Sequence, residues 1–382
     1  MGAQILQQDT LWLQTTPILE VEPMSKAAGW TPEEKTPWRQ TPLVESAALS
    51  QSAGCRVFLK LETLQPSGSF KSRGLGNLVL RSMARATNPD KVHFYSSSGG
   101  NAGLGCVHAA KFVGRPATVV VPMTTKPHMI AKIKAAGAQS VIQKGANLKE
   151  AGEYTREVVM VEAERRGEEP VGVSPFDHPD IWAGHETLVE EMSGQFAAMG
   201  EEGGPDVVVC SVGGGGLFNG IMQGMEKQGK GWEKTQVVAV ETAGADSLAY
   251  SLEQGEICTL QRITSIATSL GVSRISERTW DLAQEGSRTG KVRNVVLSDA
   301  EAAMGCWRLA DDEKILVEAA CGVSAALCYG GRLKRALGRA VKAEEKVVIV
   351  VCGGSNVSTR IVEGWRDEFL GALASGGQEW AV

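Results

Sequence analysis

The chain has 382 residues, 43% of them hydrophobic, and a formal net charge of −5 at pH 7. This length and apolar content are enough for a large buried core, which we expect to be shared between two lobes. Acidic and basic residues are interspersed, without the basic block that would follow a nucleic-acid backbone. The apolar runs are much shorter than the roughly 20 residues that span a bilayer. We therefore expect a globular protein that binds neither nucleic acid nor membrane.

The eight cysteines lack the paired spacing of a zinc site, in which two C-x-x-C units or nearby histidines supply four ligands. Residues 1–25 also lack a basic start followed by an apolar core, so we predict no secretory signal. The cysteines are then expected to be reduced and mostly buried thiols of a cytoplasmic protein.

Short runs rich in apolar β-branched residues alternate with helical patterns along most of the chain. Strands are predicted at residues 56–61, 92–95, 117–121, 140–143, 207–210, 236–240 and 347–351. Helices are predicted between them, at residues 102–113, 148–166 and 217–225. Strands that are short and apolar on both faces are typical of parallel sheets covered by helices. We therefore predict an α/β fold with functional loops at the carboxyl ends of its strands.

Lys71 lies among small, turn-forming residues after the first predicted strand, in a segment that reads PSGSFKSRG over residues 66–74. A lysine bonds covalently to a carbonyl cofactor only as the neutral amine, which needs a site that opposes its charge. Taken alone, the segment would also fit an ordinary surface lysine in a turn.

Four consecutive glycines separate the strand predicted at residues 207–210 from the helix predicted at residues 217–225. They are Gly213, Gly214, Gly215 and Gly216. Glycines let the backbone approach an anion, with several N–H groups and a helix N-terminus directed at it. The pattern lacks both G-x-x-x-x-G-K-S/T and G-x-G-x-x-G, so nucleotide-binding loops fit less well. The context favours a phosphate site over a flexible glycine linker.

Two further motifs complete the pattern: SSSGGNAG at residues 96–103 and VCGGSN at residues 351–356. With Lys71 and the four glycines, and in this order, they resemble the fold-type II pyridoxal phosphate enzymes, whose fold is that of the tryptophan synthase β subunit. The resemblance is strongest to the short catabolic L-serine/L-threonine dehydratases, and it extends from about residue 37 to about residue 365. It implies a pyridoxal phosphate-dependent ammonia-lyase that converts L-serine to pyruvate, and L-threonine to 2-oxobutanoate.

The resemblance also implies roles for the motif residues. Lys71 would hold the cofactor and act as the catalytic base, next to Phe70, and the four glycines would bind the cofactor phosphate. Cys352 would face the pyridine nitrogen. The loop after the second predicted strand would bind the substrate carboxylate through Ser97, Ser98, Gly99, Asn101 and Ala102, with Asn101 also on the 3′-oxygen of the cofactor. An ordinary helix N-cap is the alternative interpretation of Ser98 or Asn101.

Two residues bear on the course of the reaction. Racemases of this fold carry a serine where this chain has Gly99, and a glycine has no proton to deliver to the face opposite the lysine. Ser98 is the neighbouring hydroxyl that would partly compensate, which makes it a second catalytic candidate. The thiol of Cys352 cannot keep the pyridine nitrogen protonated as a carboxylate would. Both features favour elimination, although a buried strand-end thiol is the alternative interpretation of Cys352.

A monovalent cation site, expected to hold K⁺, is implied as well. Relatives form it from one carboxylate and several backbone carbonyls, and the matching positions are Gly213, Glu241, Ala245, Ser247, Leu270 and Val272. Glu241 by itself would also fit an ordinary charge at the end of a strand.

Domain boundaries follow from the resemblance alone. They give a small domain at residues 66–172 and a large cofactor-binding domain at residues 36–65 and 173–366. Residues 1–35 form an extension of unknown role and residues 367–382 a C-terminal tail. The family is often dimeric, so we expect a homodimer acting on a small amino acid.

Four alternatives remain from the sequence. One is a β-replacement enzyme of the same fold, similar to a cysteine synthase, and another is a serine racemase. The third, from a different class, is a nicotinamide-dependent oxidoreductase, which would need the dinucleotide fingerprint that this chain lacks. The fourth is a cofactor-free binding module, which would have to retain all four motifs without using them.

Overall fold

The computed structural model describes residues 36–375. The predicted N-terminal extension and the segment searched for a secretory signal lie outside these residues, as does the end of the predicted tail from residue 376 onward.

The described chain contains ten strands and fourteen α-helices in two sheets with helical cover. The strands are β1 (Leu43–Glu45), β2 (Arg56–Lys60), β3 (Val92–Ser96), β4 (Ala117–Val121), β5 (Ser140–Gln143), β6 (Glu169–Val173), β7 (Val207–Ser211), β8 (Gln236–Thr242), β9 (Val292–Leu297) and β10 (Lys346–Val350). The helices are α1 (Ala47–Ala53), α2 (Lys71–Arg85), α3 (Asn101–Phe112), α4 (Pro127–Ala135), α5 (Leu148–Tyr154), α6 (Met160–Arg165), α7 (Pro179–Ala198), α8 (Gly216–Gln228), α9 (Ser247–Gln254), α10 (Glu277–Thr289), α11 (Asp299–Glu313), α12 (Ala319–Ala325), α13 (Arg332–Leu337) and α14 (Thr359–Ser375).

The larger sheet has six strands in the order β1-β2-β10-β7-β8-β9, and the smaller has four in the order β5-β4-β3-β6. All neighbouring strands are parallel except β1, which pairs antiparallel with β2 at the sheet edge. In the larger sheet Val347 of β10 lies opposite Val57 on one side and Val207 on the other. The predicted α/β class with parallel sheets flanked by helices is confirmed.

Each sheet has its own hydrophobic core. The larger core surrounds β7 and β10, and a second cluster packs the four-stranded sheet against α2, α3 and α4. The four-stranded sheet is built from one continuous stretch, residues 92–173, and the six-stranded sheet from residues on both sides of it. This arrangement has the two lobes expected, while the boundaries at residues 66 and 172 stay a prediction.

All seven predicted strands are present, but three strands were not predicted, and each departs from the usual strand pattern. Strand β1 has only three residues, β6 contains Pro170 and Gly172, and β9 is interrupted by Arg293 and Asn294. The long predicted helix at residues 148–166 contains a π-helical turn at Thr155–Val159 between α5 and α6. A widened turn of this kind leaves the apolar pattern almost unchanged, so the sequence alone does not reveal it.

Within residues 36–375, no helix combines the length and apolar character that a membrane crossing needs. The eight cysteines all fall in this part of the chain and all are free thiols, seven of them buried.

Candidate active site

The predicted motifs meet between the two sheets because two short segments are hydrogen-bonded side by side. The Phe70 N–H donates to the Cys352 carbonyl at 3.2 Å, and the Gly354 N–H donates to the Gly68 carbonyl at 2.9 Å. This approach requires a glycine at position 353, where φ is +81° and a Cβ would lie 2.4 Å from the Gly68 oxygen. The start of α2 is thereby held next to the end of β10.

Lys71 is the first residue of α2, and its side chain is directed into this junction. Its Nζ donates to the Pro175 carbonyl at 2.5 Å and lies 5.1 Å from the centre of the Phe70 ring. Loss of hydration lowers the pKa of Lys71 to about 8, although nearby Cys352 opposes the shift. A much larger share of this amine is therefore neutral near physiological pH than for an ordinary lysine, and the neutral form is the one that captures a carbonyl.

The four glycines connect β7 to α8, which begins at Gly216. The N–H groups of Gly213, Gly214 and Gly215 donate to no acceptor among the described residues. Side chains would not fit here: a Cβ on Gly214 would lie 2.3 Å from the Phe176 ring, and Gly215 has φ +95°. Unpaired backbone donors at the N-terminus of a thirteen-residue helix form an anion-binding cradle.

The N-terminal end of α10 packs against the cradle, and the sequence did not predict this helix as part of the site. A Cβ on Gly215 would lie 1.8 Å from Thr279 Oγ1, and the Ser276 N–H donates to the Gly214 carbonyl at 3.2 Å. Ser276 also caps α10 by accepting from the Thr279 N–H. The N-terminus of α10 thus supports the loop that leads into α8.

The loop after β3 carries the residues predicted to bind the substrate carboxylate. Ser97, Ser98 and Gly99 are partly exposed, whereas Ala102 is buried in the first turn of α3. Gly100, not Ser98 or Asn101, is the N-cap residue of α3, and no side chain caps this helix. The interpretation of Ser98 or Asn101 as an ordinary helix cap is therefore wrong.

Neighbouring side chains restrict the space around this loop. A Cβ on Gly99 would lie 2.7 Å from both Oγ1 and Cγ2 of Thr125, so Thr125 occupies the space above the glycine. The Ser98 hydroxyl accepts from the Gly100 N–H at 3.3 Å. Asn101 extends away from the loop, and its carboxamide contacts Glu318 and Ser355 of the opposite lobe.

Cys352 is buried at the end of β10, next to two other polar side chains. Its sulfur lies 3.6 Å from the Ser211 hydroxyl, two residues before the glycine cradle. Interaction with the neighbouring Cys321 thiol lowers the pKa of Cys352 and raises that of Cys321. Cys352 therefore links the cradle to the segment that carries Lys71.

The positions predicted for a cation lie at the carboxyl ends of β7 and β8. Glu241 is fully buried and accepts from the Leu248 and Ala249 N–H groups, both at 2.8 Å, at the start of α9. Burial raises the pKa of Glu241 to about 7, against the effect of these donors. The Ser247 hydroxyl is buried without a hydrogen-bond partner in the described chain.

The remaining cation positions are close to the cradle. Gly213 packs against Leu270, whose carbonyl oxygen would lie 3.2 Å from a Cβ on Gly213, and Val272 donates to that oxygen. Ala245 closes a turn by donating to the Thr242 carbonyl. A cluster of three or more His, Cys, Asp or Glu side chains suited to a metal is absent from residues 36–375.

The largest feature missed by the sequence analysis is a buried ion cluster two residues beyond Lys71. Arg73 is fully buried between Glu62, at 2.7 Å, and Glu191, at 2.6 Å, and Lys60 also binds Glu191 at 2.7 Å. Burial opposes the charge of Arg73, but the two carboxylates raise its pKa above the ordinary value. Two charges of each sign therefore compensate one another inside the core.

The comparisons with known proteins agree with this geometry. A family model described as "Pyridoxal-phosphate dependent enzyme" matches residues 35–353. The chain belongs to this family of pyridoxal-phosphate dependent enzymes.

Within this family, the chain is similar to proteins named as serine dehydratases and a serine ammonia-lyase. The chain is 42% identical over 327 residues to an L-serine dehydratase of Saccharomyces cerevisiae (strain AWRI1631), covering 84% of this chain and 95% of the relative. It is 40% identical over 323 residues to the L-serine dehydratase/L-threonine deaminase of Mus musculus, covering 84% and 92%. Among solved structures, the fungal L-serine ammonia-lyase from Rhizomucor miehei matches with a TM-score of 0.76 and 31% identity, over 88% of this chain and all of that one.

The residues present fit pyridoxal phosphate. The cradle offers three unpaired N–H groups to a phosphate, and Phe176 packs so closely on Gly214 that no side chain could stand there. Lys71, held by its hydrogen bond to the Pro175 carbonyl, offers a desolvated amine to an aldehyde. Phe176 follows Pro175 and covers the cradle, so the amine and the anion site share one wall.

We expect the reactivity of Lys71 towards pyridoxal phosphate to follow a pKa of about 8. Because only the neutral amine reacts, capture by protein stripped of cofactor should rise about tenfold from pH 7 to pH 9 and then level off. Borohydride trapping followed by mass spectrometry of the Lys71 peptide measures this rate. Other lysine peptides in the same digest serve as controls, since their reactivity should keep rising towards pH 10. A Lys71 profile that also keeps rising would contradict a desolvated amine.

Proposed function

We propose that the protein deaminates L-serine to pyruvate and ammonia, and L-threonine to 2-oxobutanoate and ammonia. The observation that carries the proposal is the convergence of a desolvated lysine, an anion cradle and a polar loop on one junction. The fold and the family allow several reactions, so the choice of elimination rests on the residues around that junction. The relatives named as serine dehydratases support the same choice.

Pyridoxal phosphate, when bound, supplies an aldehyde for the substrate amine and a ring that delocalises the charge left on Cα after proton removal. Lys71 would hold the cofactor and, once freed, accept the Cα proton, because its lowered pKa leaves a neutral amine available. The N–H groups of Gly213, Gly214, Gly215 and Gly216 would bind the phosphate. Phe70 would pack beside the ring.

The loop after β3 would orient the substrate. Hydroxyl and N–H groups of Ser97, Ser98, Gly99, Asn101 and Ala102 would bind its carboxylate, as a loop at the start of a helix can. Asn101 would donate a hydrogen bond to the phenolic oxygen of the cofactor. Serine then loses its β-hydroxyl as water, and hydrolysis of the released product returns one water and yields pyruvate and ammonia.

Two features favour elimination over racemisation. Gly99 offers no side-chain proton, and Thr125 fills the space above it. Cys352, with the Ser211 hydroxyl beside its sulfur, would face the pyridine nitrogen without a carboxylate to protonate it. A β-replacement enzyme is the second candidate, but nothing in the described site favours it. Membership of the pyridoxal-phosphate dependent family excludes the alternative of a nicotinamide-dependent oxidoreductase.

Three further expectations belong to this proposal. The protein would act as a homodimer in the cytoplasm, which light scattering and localisation of the tagged protein would test. Glu241, with the carbonyls of Gly213, Ala245 and Leu270, would hold K⁺. Ser247 and Val272 would complete that site, and the unpaired Ser247 hydroxyl supports it.

The function is tested with purified protein and its Lys71→Ala variant. We expect a yellow protein that borohydride bleaches and that releases pyruvate and ammonia in equal amounts from L-serine. Lys71→Ala should lower turnover by about 100-fold or more, because the general base is lost, while thermal unfolding stays near that of the parent. Lys111→Ala, which removes an exposed lysine from α3, is the matched control. A Lys71→Ala variant that still released ammonia at the parent rate would exclude this lysine.

The cation proposal predicts that activity is higher in K⁺ than in Li⁺ or Na⁺, since cavity size and ligand number select the ion. Bound K⁺ should also raise the thermal midpoint in a concentration-dependent manner. Glu241→Ala should blunt both responses by removing the charged ligand, and Glu241→Gln separates that effect from the loss of the α9 cap. Equal activity and equal thermal midpoints in K⁺, Na⁺ and Li⁺, after thorough desalting, would contradict the proposed cation site.

Gly99→Ser should lower the ratio of elimination to inversion by placing a hydroxyl opposite Lys71. Because a Cβ at this position would lie 2.7 Å from the Thr125 side chain, the serine alone should cost total activity. The double variant Gly99→Ser/Thr125→Ala makes room and should produce more D-serine per pyruvate, measured by chiral chromatography. Thr125→Ala alone adds space but no hydroxyl and should leave the ratio unchanged. If the double variant turns over without more D-serine, Cys352 becomes the better determinant.

A further inference from the structure

Glu318 is a buried carboxylate at the candidate active site that the motifs did not include. It stands directly before α12 in an otherwise apolar stretch, and only 4% of it is exposed. Helix α12 packs against β7, β8 and β10, and the Glu318 carboxylate at its start lies against Gly354, two residues after Cys352. Burying a carboxylate is costly unless hydrogen bonds satisfy it, so its contacts indicate what it does.

Three donors hold the Glu318 carboxylate. Its Oε1 accepts from Asn101 Nδ2 at 2.8 Å and from the Asn356 N–H at 3.0 Å, and its Oε2 accepts from Ser269 Oγ at 2.5 Å. Gly354 makes room for it, with φ +114° and a hypothetical Cβ only 2.2 Å from the carboxyl carbon. The carboxylate is therefore fixed in position, and of these three donors Asn101 alone comes from the opposite lobe.

The neighbours of Asn101 allow one orientation of its carboxamide. The Ser355 N–H donates to Oδ1 at 2.9 Å, and Glu318 accepts from Nδ2 on the other side. Because a backbone N–H only donates and a carboxylate only accepts, a flipped amide would face a donor with its NH₂ and an acceptor with its oxygen. The second Nδ2 hydrogen has only a longer contact, 3.3 Å, to Ser269 Oγ. Asn101 thus presents a fixed NH₂ donor.

We propose that Glu318 is a positioning residue that orients Asn101 so that its NH₂ group donates to the phenolic oxygen of the bound cofactor. The inference rests on the proposed function, which puts Asn101 on that oxygen. Without Glu318 the carboxamide keeps the Ser355 N–H on Oδ1 and the longer Ser269 contact on Nδ2 but loses its shortest hydrogen bond, so the flipped orientation, with Oδ1 towards the cofactor oxygen, becomes more populated. The donor that stabilises the ionised phenolic oxygen is then lost for part of the time, and the protonated oxygen becomes more populated.

The test compares Glu318→Ala, Asn101→Ala and the double variant as holoenzymes. Glu318→Ala should shift absorbance from the yellow band towards the ultraviolet and weaken cofactor binding about tenfold, as expected for a lost hydrogen bond to a charged group. If Glu318 acts through Asn101, Asn101→Ala should reproduce the shift and the double variant should add nothing. The readouts are the absorption spectrum across pH and the cofactor dissociation constant by fluorescence.

A matched control separates positioning from general destabilisation. Glu345→Ala removes another buried glutamate, which pairs with Arg339 before the amino end of β10. It should lower the thermal midpoint and leave the spectrum unchanged. If Glu318→Ala folds poorly, Glu318→Gln replaces it in the test. The glutamine amide can hydrogen-bond to Asn101 in either orientation of the Asn101 carboxamide, so a partial spectral shift is expected.

Two results would overturn the inference. One is a Glu318 variant, either Gln or Ala, with the parent spectrum and the parent cofactor affinity. The other is a spectral shift that is as large in the Asn101→Ala background as in the parent, which would show that Glu318 does not act through Asn101. If the parent protein stays colourless with added cofactor, the proposed function itself is contradicted. That result differs from the two above, in which the parent binds the cofactor.

Discussion

The buried charges around Arg73 are the constraint on which the site depends. Arg73 of α2 is fully enclosed, with Glu62 after β2 and Glu191 of α7 as its counter-ions. Removing one member would leave an uncompensated charge in the core, at a cost of about 3–5 kcal/mol. Because Lys71 begins the same helix, the cluster also determines where the reactive amine lies. Stability of the core and placement of the site are thus set by one set of contacts.

Close backbone approach is the second organising feature, and it depends on glycines with specific neighbours. Gly353 lets β10 pair with the segment before Lys71, and Gly354 admits the Glu318 carboxylate. Gly215 lies against Thr279 and Gly214 against Phe176. Each of these contacts would be blocked by a single Cβ, so the cradle, the lysine and the carboxylate are held at distances that larger residues would not allow.

The site places a group whose positive charge is disfavoured next to backbone donors that favour a negative charge. Lys71 is desolvated and carries a lowered pKa, whereas the cradle presents unpaired N–H donors that favour an anion. Glu318 supplies negative charge on the side of Asn101, compensated by three hydrogen-bond donors. The arrangement favours a neutral amine and a bound phosphate in the same enclosed space, which is what the proposed chemistry requires.

Much of this architecture follows from local sequence, because the strands are continuous apolar runs and the motifs are contiguous. The strand at residues 207–210, the glycines after it and the turn that leads to Lys71 were predictable, since strand patterns and glycine-rich turns depend on neighbouring residues alone. The Glu318–Asn101 contact joins residues 217 positions apart, and the ion pairs of the Arg73 cluster join residues up to 131 apart. Glu318 gave only the faint signal of an acid in an apolar stretch. A buried polar residue is defined by partners that packing brings together, so these pairings depend on the folded chain.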